Sequence, residues 1–318
     1  MRRVMIVVFE GVQTLDLTGP AEVFATANRL QRAPSYEIVV ASRAGGELVT
    51  SCGLPIRTRA LARTKVGRGD TVIVAGGDAP AITRAARDPR LAGWLRRAAP
   101  VVRRLASVCS GAFVLAAAGL LDGKRATTHW SACDELATRF PCVAVDRNAI
   151  FVTDGTTWTS AGVTTGIDMC LALVEDDHGR VLADDIAARL VLYTRRPGYQ
   201  SQWSDALVAR TTGADPLGPA IAWARANLAR VDPELLARRA GLSPRTFHRR
   251  CLEQLATTPA KLLDKLRVER ARDLLATTDL PAKSLAEASG FSSPARMKRA
   301  FERELGLGPR QYRLLHQT

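Results

Sequence analysis

The segment Leu236-Ala237-Arg238-Arg239-Ala240-Gly241-Leu242-Ser243 returns downstream as Leu285-Ala286-Glu287-Ala288-Ser289-Gly290-Phe291-Ser292. Past one inserted residue, Pro244, Phe247, Cys251, Leu255 and Pro259 return as Pro294, Met297, Phe301, Leu305 and Pro309. A self-similar unit with a period of about fifty residues marks a duplicated structural module. In each copy a short helix carrying Leu and Ala ends at a glycine, Gly241 or Gly290. Glycine turns a chain through the left-handed region at the least steric cost. One apolar residue follows, then an N-cap serine with proline at the first helical position, Ser243-Pro244 and Ser293-Pro294. Apolar residues four apart, Phe247 and Cys251 or Met297 and Phe301, set one face of the second helix against the first. This is the grammar of a helix-turn-helix, written twice.

The other face of each second helix is basic. It presents Arg245, Thr246, His248 and Arg249 in the first copy, and Arg296, Lys298 and Arg299 in the second. Arginine and lysine pair with guanine edges or with phosphates, as a helix in the DNA major groove requires. The competing reading is two helical hairpins with solvated basic faces; the match of turn, cap and charge in both copies favours DNA. Between the copies, apolar residues at 262, 263, 266, 271, 274 and 275 suit a long linking helix. From residue 219 onward the chain therefore resembles the DNA-binding domain of the AraC/XylS family of transcription regulators. The resemblance rests on Leu266-Arg267, Ala271 through Leu275, Gly290-Phe291-Ser292 and Gly308 through Arg313. Two positions depart from the family pattern: Ala256 in place of glycine, and Cys251 in place of phenylalanine. Both concern the turn and core of the first copy.

A length of 318 residues suits two domains. No apolar run reaches the roughly 18 residues of a membrane span, and no membrane partner is expected. Val4 to Phe9 is too short for the apolar core of a signal peptide and reads as a strand, so the expected location is cytoplasmic. The charge of +14 is uneven: residues 196–318 hold 21 Lys/Arg against 12 Asp/Glu, and residues 1–195 hold 24 against 19. Basic charge concentrated in the repeat-bearing part fits a polyanionic partner. The six cysteines form no Cys-x-x-Cys pair and the four histidines are scattered, so neither a metal site nor a disulfide framework is expected. No cofactor is implied.

In the N-terminal half, β-branched runs at 4–9, 37–41, 71–75 and 105–108 alternate with helical stretches at 20–32, 88–99, 112–118, 131–139 and 163–175. That alternation predicts a flavodoxin-like α/β domain, a mainly parallel sheet with helices on both faces, ahead of the all-α domain with its two helix-turn-helix units. Ligands of such sheets bind at the carboxyl ends of the strands. Three segments lie there: Glu10 to Asp16, Gly76-Gly77, and Cys109-Ser110-Gly111. A cysteine in a tight strand-to-helix turn meets a helix dipole that favours the thiolate, and the amides of Gly77 and Ser110 are candidates to bind an oxyanion. The alternative is that Cys109 is a small buried hydrophobe. His129 with Trp130 reads either as a pocket residue or as a packed aromatic pair. Glu175-Asp176-Asp177-His178-Gly179 reads as a solvated turn at a helix end, and Thr159 to Gly162 as a pocket edge or a cap.

Residues 1–195 resemble the class I glutamine-amidotransferase-like superfamily in its PfpI-like, isonitrile-hydratase branch. Cys109 matches the elbow cysteine, Asp16 the acidic residue set against it, and Thr127-Thr128-His129 a recurring segment near the pocket. The peptidase members carry histidine directly after the cysteine; here Ser110 stands there, which argues against a Cys-His pair unless His129 substitutes. The isonitrile-hydratase arrangement fits Asp16, Cys109 and Ser110 better. The candidate catalytic pocket is Cys109, Asp16 and His129, with none established, and the ligand-site candidates are Asp16, Gly76, Gly77, Cys109, Ser110 and His129.

Breakers at Pro197, Gly198, Gly213, Pro216, Gly218 and Pro219 set an expected linker at 196–218, between a sensor at 1–195 and a DNA-binding domain at 219–318. The whole resembles the GlxA group of AraC-type regulators. That resemblance implies a small nitrogenous effector such as an amino acid, a betaine or a carnitine-like compound. The expected partners are double-stranded DNA, this small-molecule effector, a second copy of the chain in a homodimer, and RNA polymerase, acting in activation or repression. The runner-up is a cysteine-dependent hydrolase or isonitrile-hydratase-like enzyme carrying an appended DNA-binding domain.

Overall fold

The computed structural model describes residues 1–192 except 148, then 196, 198 and 202, and 216–316 except 256, 306 and 307. Ala256 and the breakers at Pro197 and Gly213 lie outside the described residues. The chain divides into two compact units, residues 1–202 and 203–318.

The first unit is built on one sheet. Its strands are β1 (Arg2–Val7), β2 (Tyr36–Ser42), β3 (Gly46–Val49), β4 (Pro55–Ala60), β5 (Thr71–Val74), β6 (Arg104–Val108), β9 (Phe151–Asp154) and β10 (Thr157–Ser160), in the order β3-β4-β2-β1-β5-β6-β10-β9. A small separate sheet pairs β7 (Arg125–Ala126) with β8 (Ala144–Val145). From β4 to β10 the neighbours run parallel, and β3 and β9 join as antiparallel edges. The chain leaves β1 toward β2 on one side and continues through β5 and β6 on the other, so the winding reverses between β1 and β5. At such a reversal the loops part and leave a crevice at the strands' carboxyl ends.

The strand side chains alternate between two cores, as the pleat requires. Met5 and Val7 join Val72 and Val74 beneath α2 (Ala79–Ala86), α3 (Pro89–Ala98), α4 (Gly111–Ala117) and α5 (Cys133–Arg139). Val4, Ile6 and Val8 join Ile73 and Val108 beneath α1 (Thr14–Leu30), α6 (Thr164–His178) and α7 (Arg180–Arg189). Both faces of the sheet are thus covered by helices. One expectation shifts here: the first helix starts at Thr14 and not at Pro20, which lies buried inside it. Asp16 therefore sits in the helix's first turn rather than in a loop. The expected turn at 175–179 is indeed a helix end, closing at His178 with Gly179 after it, but it is solvated only in part. The Asp177 side chain is buried and accepts hydrogen bonds from Tyr36 Oη at 2.8 Å and from Arg103 and Arg104. Its partners come from β2 and from the start of β6, so distant sequence converts a helix end into a buried ionic network.

The second unit is all helical: α8 (Leu217–Ala226), α9 (Pro233–Arg239), α10 (Pro244–Leu255), α11 (Pro259–Thr277), α12 (Ala282–Ala288), α13 (Pro294–Leu305) and α14 (Pro309–His316). The pairs α9–α10 and α12–α13 are the two helix-turn-helix units. Gly241 and Gly290 hold φ of +65° and +83°. Beyond them the Leu242 amide reaches back to Ala237 O at 3.0 Å, and the Phe291 amide to Ala286 O at 2.8 Å. Ser243 Oγ accepts from the Thr246 amide and Ser293 Oγ from the Arg296 amide, both at 3.2 Å. Phe247, Cys251, Met297 and Phe301 are buried. The linking helix α11 carries Arg267, a buried guanidinium that donates to Leu228 O at 3.2 Å and to Val231 O at 2.7 Å. A Cβ on Gly290 would overlap that same Leu228 carbonyl, so the turn of the second copy abuts the helix end that opens the first.

Candidate functional site

Three loops meet at the crevice: α1 after β1, Gly76-Gly77 after β5, and the elbow at Cys109 after β6. Cys109 adopts φ of +55°, a conformation that a side-chain-bearing residue holds only when its surroundings enforce it. Its amide donates to Ser160 O at 3.0 Å, and Thr128 Oγ1 donates to its carbonyl at 2.8 Å. There is room for the thiol because two neighbours are glycines. A Cβ on Gly76 would stand 2.5 Å from Asp16 Oδ2, and one on Gly162 would stand 2.9 Å from the Cys109 sulfur.

Asp16 is fully buried. Its Oδ2 accepts the Gly76 amide and its Oδ1 the Val163 amide, each at 3.1 Å. Val163 is itself left-handed, with φ of +43°. Burial raises the Asp16 carboxyl from 3.8 to about 6, against the opposing pull of those two amides and of Cys109. Burial, and then the facing Asp16 charge, push the Cys109 thiol from 9.0 up to about 12. The expectation of a thiolate is thereby corrected. A short helix dipole is worth less than the cost of desolvating an anion beside a carboxylate.

The oxyanion expectation changes too. The Gly77 amide donates to Ser110 Oγ at 3.0 Å, and that hydroxyl donates back to Gly77 O at 2.8 Å. Gly77 is therefore occupied by the side chain that stands where a peptidase would place histidine. His129 caps its own turn: Nδ1 lies 2.8 Å from Ser131 Oγ, and its ring sits 5.2 Å from that of Trp130. Burial lowers its pKa below 6.5. Among the described residues no hydrogen bond joins His129 to Cys109. Cys109 and Asp16 stand together; His129 belongs to a neighbouring turn. No group of three His, Cys, Asp or Glu able to hold a metal occurs among the described residues. A groove lined by Met1, Arg2 and residues 31–35 opens at the opposite end of the strands, away from Cys109 and Asp16.

Sequence reasoning missed two anchors beside this crevice. Arg196 donates through its backbone amide and its Nε to Asp168, both at 3.0 Å, and through Nη2 to Thr164 Oγ1 at 2.9 Å. Gln202 Nε2 donates to Thr127 Oγ1, Thr128 O and Ala149 O at 3.0–3.1 Å. Both residues fall in the stretch read as linker, where only breakers gave a signal.

In the second unit, Arg245, His248 and Arg249 on α10 and Arg296, Lys298 and Arg299 on α13 are exposed. Thr246 instead completes the helix cap, accepting from Ser243 Oγ at 2.9 Å. Arg249 pairs with Glu253 at 3.8 Å and Lys298 with Glu302 at 3.6 Å. Arg296 lies 3.4 Å from Asp264 of α11. Among the described residues Arg245 and Arg299 carry no ion pair. No described helix is long and apolar enough to cross a membrane.

Residues 2–176 match the DJ-1/PfpI family and residues 236–314 match a helix-turn-helix domain. The chain is 31% identical over 309 residues to the HTH-type transcriptional regulator CdhR of Pseudomonas aeruginosa, covering 95% of this chain and 89% of that protein. It is 31% identical over 304 residues to the HTH-type transcriptional regulator GlxA of Rhizobium meliloti, covering 95% and 93%. The crystal structure of a THiJ/PfpI family protein from Pseudomonas syringae superposes with a TM-score of 0.54 at 26% identity, over 61% of this chain and 76% of that one. The two relatives span both units, and the solved structure repeats the fold of the first. The chain belongs to the HTH-type transcriptional regulators that join a DJ-1/PfpI domain to an AraC-type helix-turn-helix domain, and it is a DNA-binding regulator.

Proposed function

We propose that residues 1–195 form a sensor whose effector is a small nitrogenous metabolite bound at the Asp16–Cys109 crevice. Residues 196–218 connect it to the DNA-binding domain at 219–318. The observation that carries the reading is the state of Cys109: a neutral, partly exposed thiol facing a buried carboxyl group, with no imidazole hydrogen-bonded to it. A cysteine nucleophile needs a base or a lowered pKa; here the thiol's pKa is raised, no imidazole reaches it, and the carboxyl beside it is engaged by the Gly76 and Val163 amides. Thiol and carboxyl together suit a ligand that presents N–H donors or a cationic nitrogen. Gly76, Gly77, Ser110 and His129 complete the neighbourhood of the site. The DNA-facing helices are α10, with Arg245, Thr246, His248 and Arg249, and α13, with Arg296, Lys298 and Arg299; of these Thr246 serves its helix cap and Arg296 is engaged by Asp264. The protein works in the cytoplasm as a homodimer and meets RNA polymerase at the promoter.

The experiment uses the full chain and a panel of amino acids, betaines and carnitine-like compounds. At least one is expected to raise the melting temperature and to change affinity for the protein's own promoter region. Cys109→Ser and Asp16→Asn are expected to alter that response while leaving effector-free DNA binding intact. Turnover of an amide, isonitrile or α-oxoaldehyde by the wild type, abolished in Cys109→Ser, would sink the sensor reading.

A further inference from the structure

The two helix-turn-helix copies differ in how their cations are held. Of the cations on α13, Lys298 pairs within the helix, whereas Arg296 and Arg303 both reach a carboxylate on another helix. That group is Asp264 of α11, whose side chain is only 15% exposed, at 3.4 Å from Arg296 and 3.0 Å from Arg303. Arg296 and Arg303 are seven residues apart, two helical turns, and so lie on the same side of α13. A third guanidinium, the buried Arg267, stands 4.0 Å from Asp264. In the first copy the equivalent positions are Thr246 and Glu253, so neither arginine of this clamp recurs on α10. The turn of the second copy does not depend on this contact. Gly290, Ser293, Met297 and Phe301 form it, as their counterparts do in the first copy.

We propose that Asp264 is a specificity-determining residue of the DNA interface: it withholds Arg296 and Arg303 from the phosphate backbone and fixes the rotation of α13. The proposal rests on the reading of α13 as a groove-contacting helix. A loose arginine on such a helix finds a phosphate beside any sequence, and adds affinity that carries no information. Two arginines held by a carboxylate across a helix interface give up most of that gain. Gripping α13 at two successive turns also sets which face meets the groove. Arg299, with no ion pair among the described residues, is then the α13 cation left to fork onto a guanine edge.

The test uses full-length protein, the duplex that wild type enriches from a randomised pool, and a scrambled duplex of equal length. Dissociation constants are measured across a salt series. Asp264→Asn is expected to tighten binding to the scrambled duplex about tenfold at low salt and to steepen its salt slope by about one to two. The ratio of specific to scrambled affinity then falls about tenfold, and Asp264→Glu restores it. Unchanged scrambled affinity and slope in Asp264→Asn would overturn the proposal, as would a parallel loss on both duplexes. Should that variant fail to fold, Arg296→Ala decides: a withheld Arg296 leaves the scrambled-duplex slope unchanged, and a slope shallower by about one shows it already on phosphate. Arg299→Ala separates the proposal from the reading beneath it. A loss of about tenfold or more on the selected duplex alone is expected. No effect on either duplex would mean that α13 does not read DNA at all, which overturns both.

Discussion

The Asp16 carboxyl and the Cys109 thiol share one buried corner, where the Asp16 charge raises the cost of ionising the thiol while the thiol's hydrogen bond partly offsets the burial that raises Asp16. The folded Asp16 titrates near 6 and the unfolded residue near 3.8. Between those values the folded chain binds more protons, so this group's contribution to stability is full below about pH 4 and is lost as pH rises through 6. The total is about 3 kcal/mol. Asp16→Asn should flatten that part of the stability profile, as chemical denaturation across the acid range can show. The slope with pH is the diagnostic, because the amide also loses an acceptor for one backbone N–H. An unaltered slope would remove Asp16 as its source. Thiol chemistry offers a second measurement. At pH 8 Cys109 is almost wholly the neutral thiol, whereas the exposed Cys52 is acidified by the Thr14 and Thr50 hydroxyls beside it. Iodoacetamide should therefore label Cys52 well before Cys109, with peptide mapping as the readout; equal rates would contradict the half-buried, neutral thiol. The residue types of this site were legible in the sequence, since a strand ending at Cys109 and a loop ending at Asp16 point to one end of a sheet. Their ionisation was not, because it depends on Gly76, Val163 and Gly162, which reach the pair only through the fold.

Among the elements, the duplicated helices were the most legible, because turn, cap and apolar face are all local devices. The two glycines nevertheless differ. Both pay for a left-handed backbone if replaced, roughly 1–2 kcal/mol. Around Gly241 a Cβ meets open space, whereas at Gly290 it strikes the Leu228 carbonyl. Gly290→Ala should therefore lower the thermal stability of the second unit distinctly more than Gly241→Ala, by a further 1–3 kcal/mol or so for the overpacked contact. Equal losses would show that the turn of the second copy can shift away. Replacing Ser243 or Ser293 by Ala should cost about 1 kcal/mol each, since both caps are made by the same serine Oγ-to-amide bond. The edge hairpins β3–β4 and β9–β10 were not anticipated. Their strands are four to six residues long, and Gly46–Val49 and Pro55–Ala60 bury little, so neither carries the apolar run that betrays a central strand. The start of α1 was misplaced for the opposite reason: Pro20 looks like a first-turn proline, but the helix continues around it.

At the scale of the whole chain, basic charge and duplicated modules were readable long before any geometry, and they suffice for the class of function. Affinity for promoter DNA should fall steeply between low and physiological salt, with a slope that reports the number of phosphates neutralised. A flat salt response would contradict a basic interface. The ligand side stays less legible, because a crevice is made by loops from β1, β5 and β6 that are far apart in sequence. The direct abutment of the two helix-turn-helix copies carries a further consequence. Arg267 ties α11 to the Leu228 and Val231 carbonyls, and Gly290 rests on the same Leu228, so α10 and α13 cannot move apart independently. An operator read by both helices should then obey a fixed grammar: two short words separated by a set number of base pairs. Inserting one base pair turns the second word by about a tenth of a helical turn, and the protein has no slack with which to follow it. Such an insertion should weaken binding about as much as erasing one word entirely.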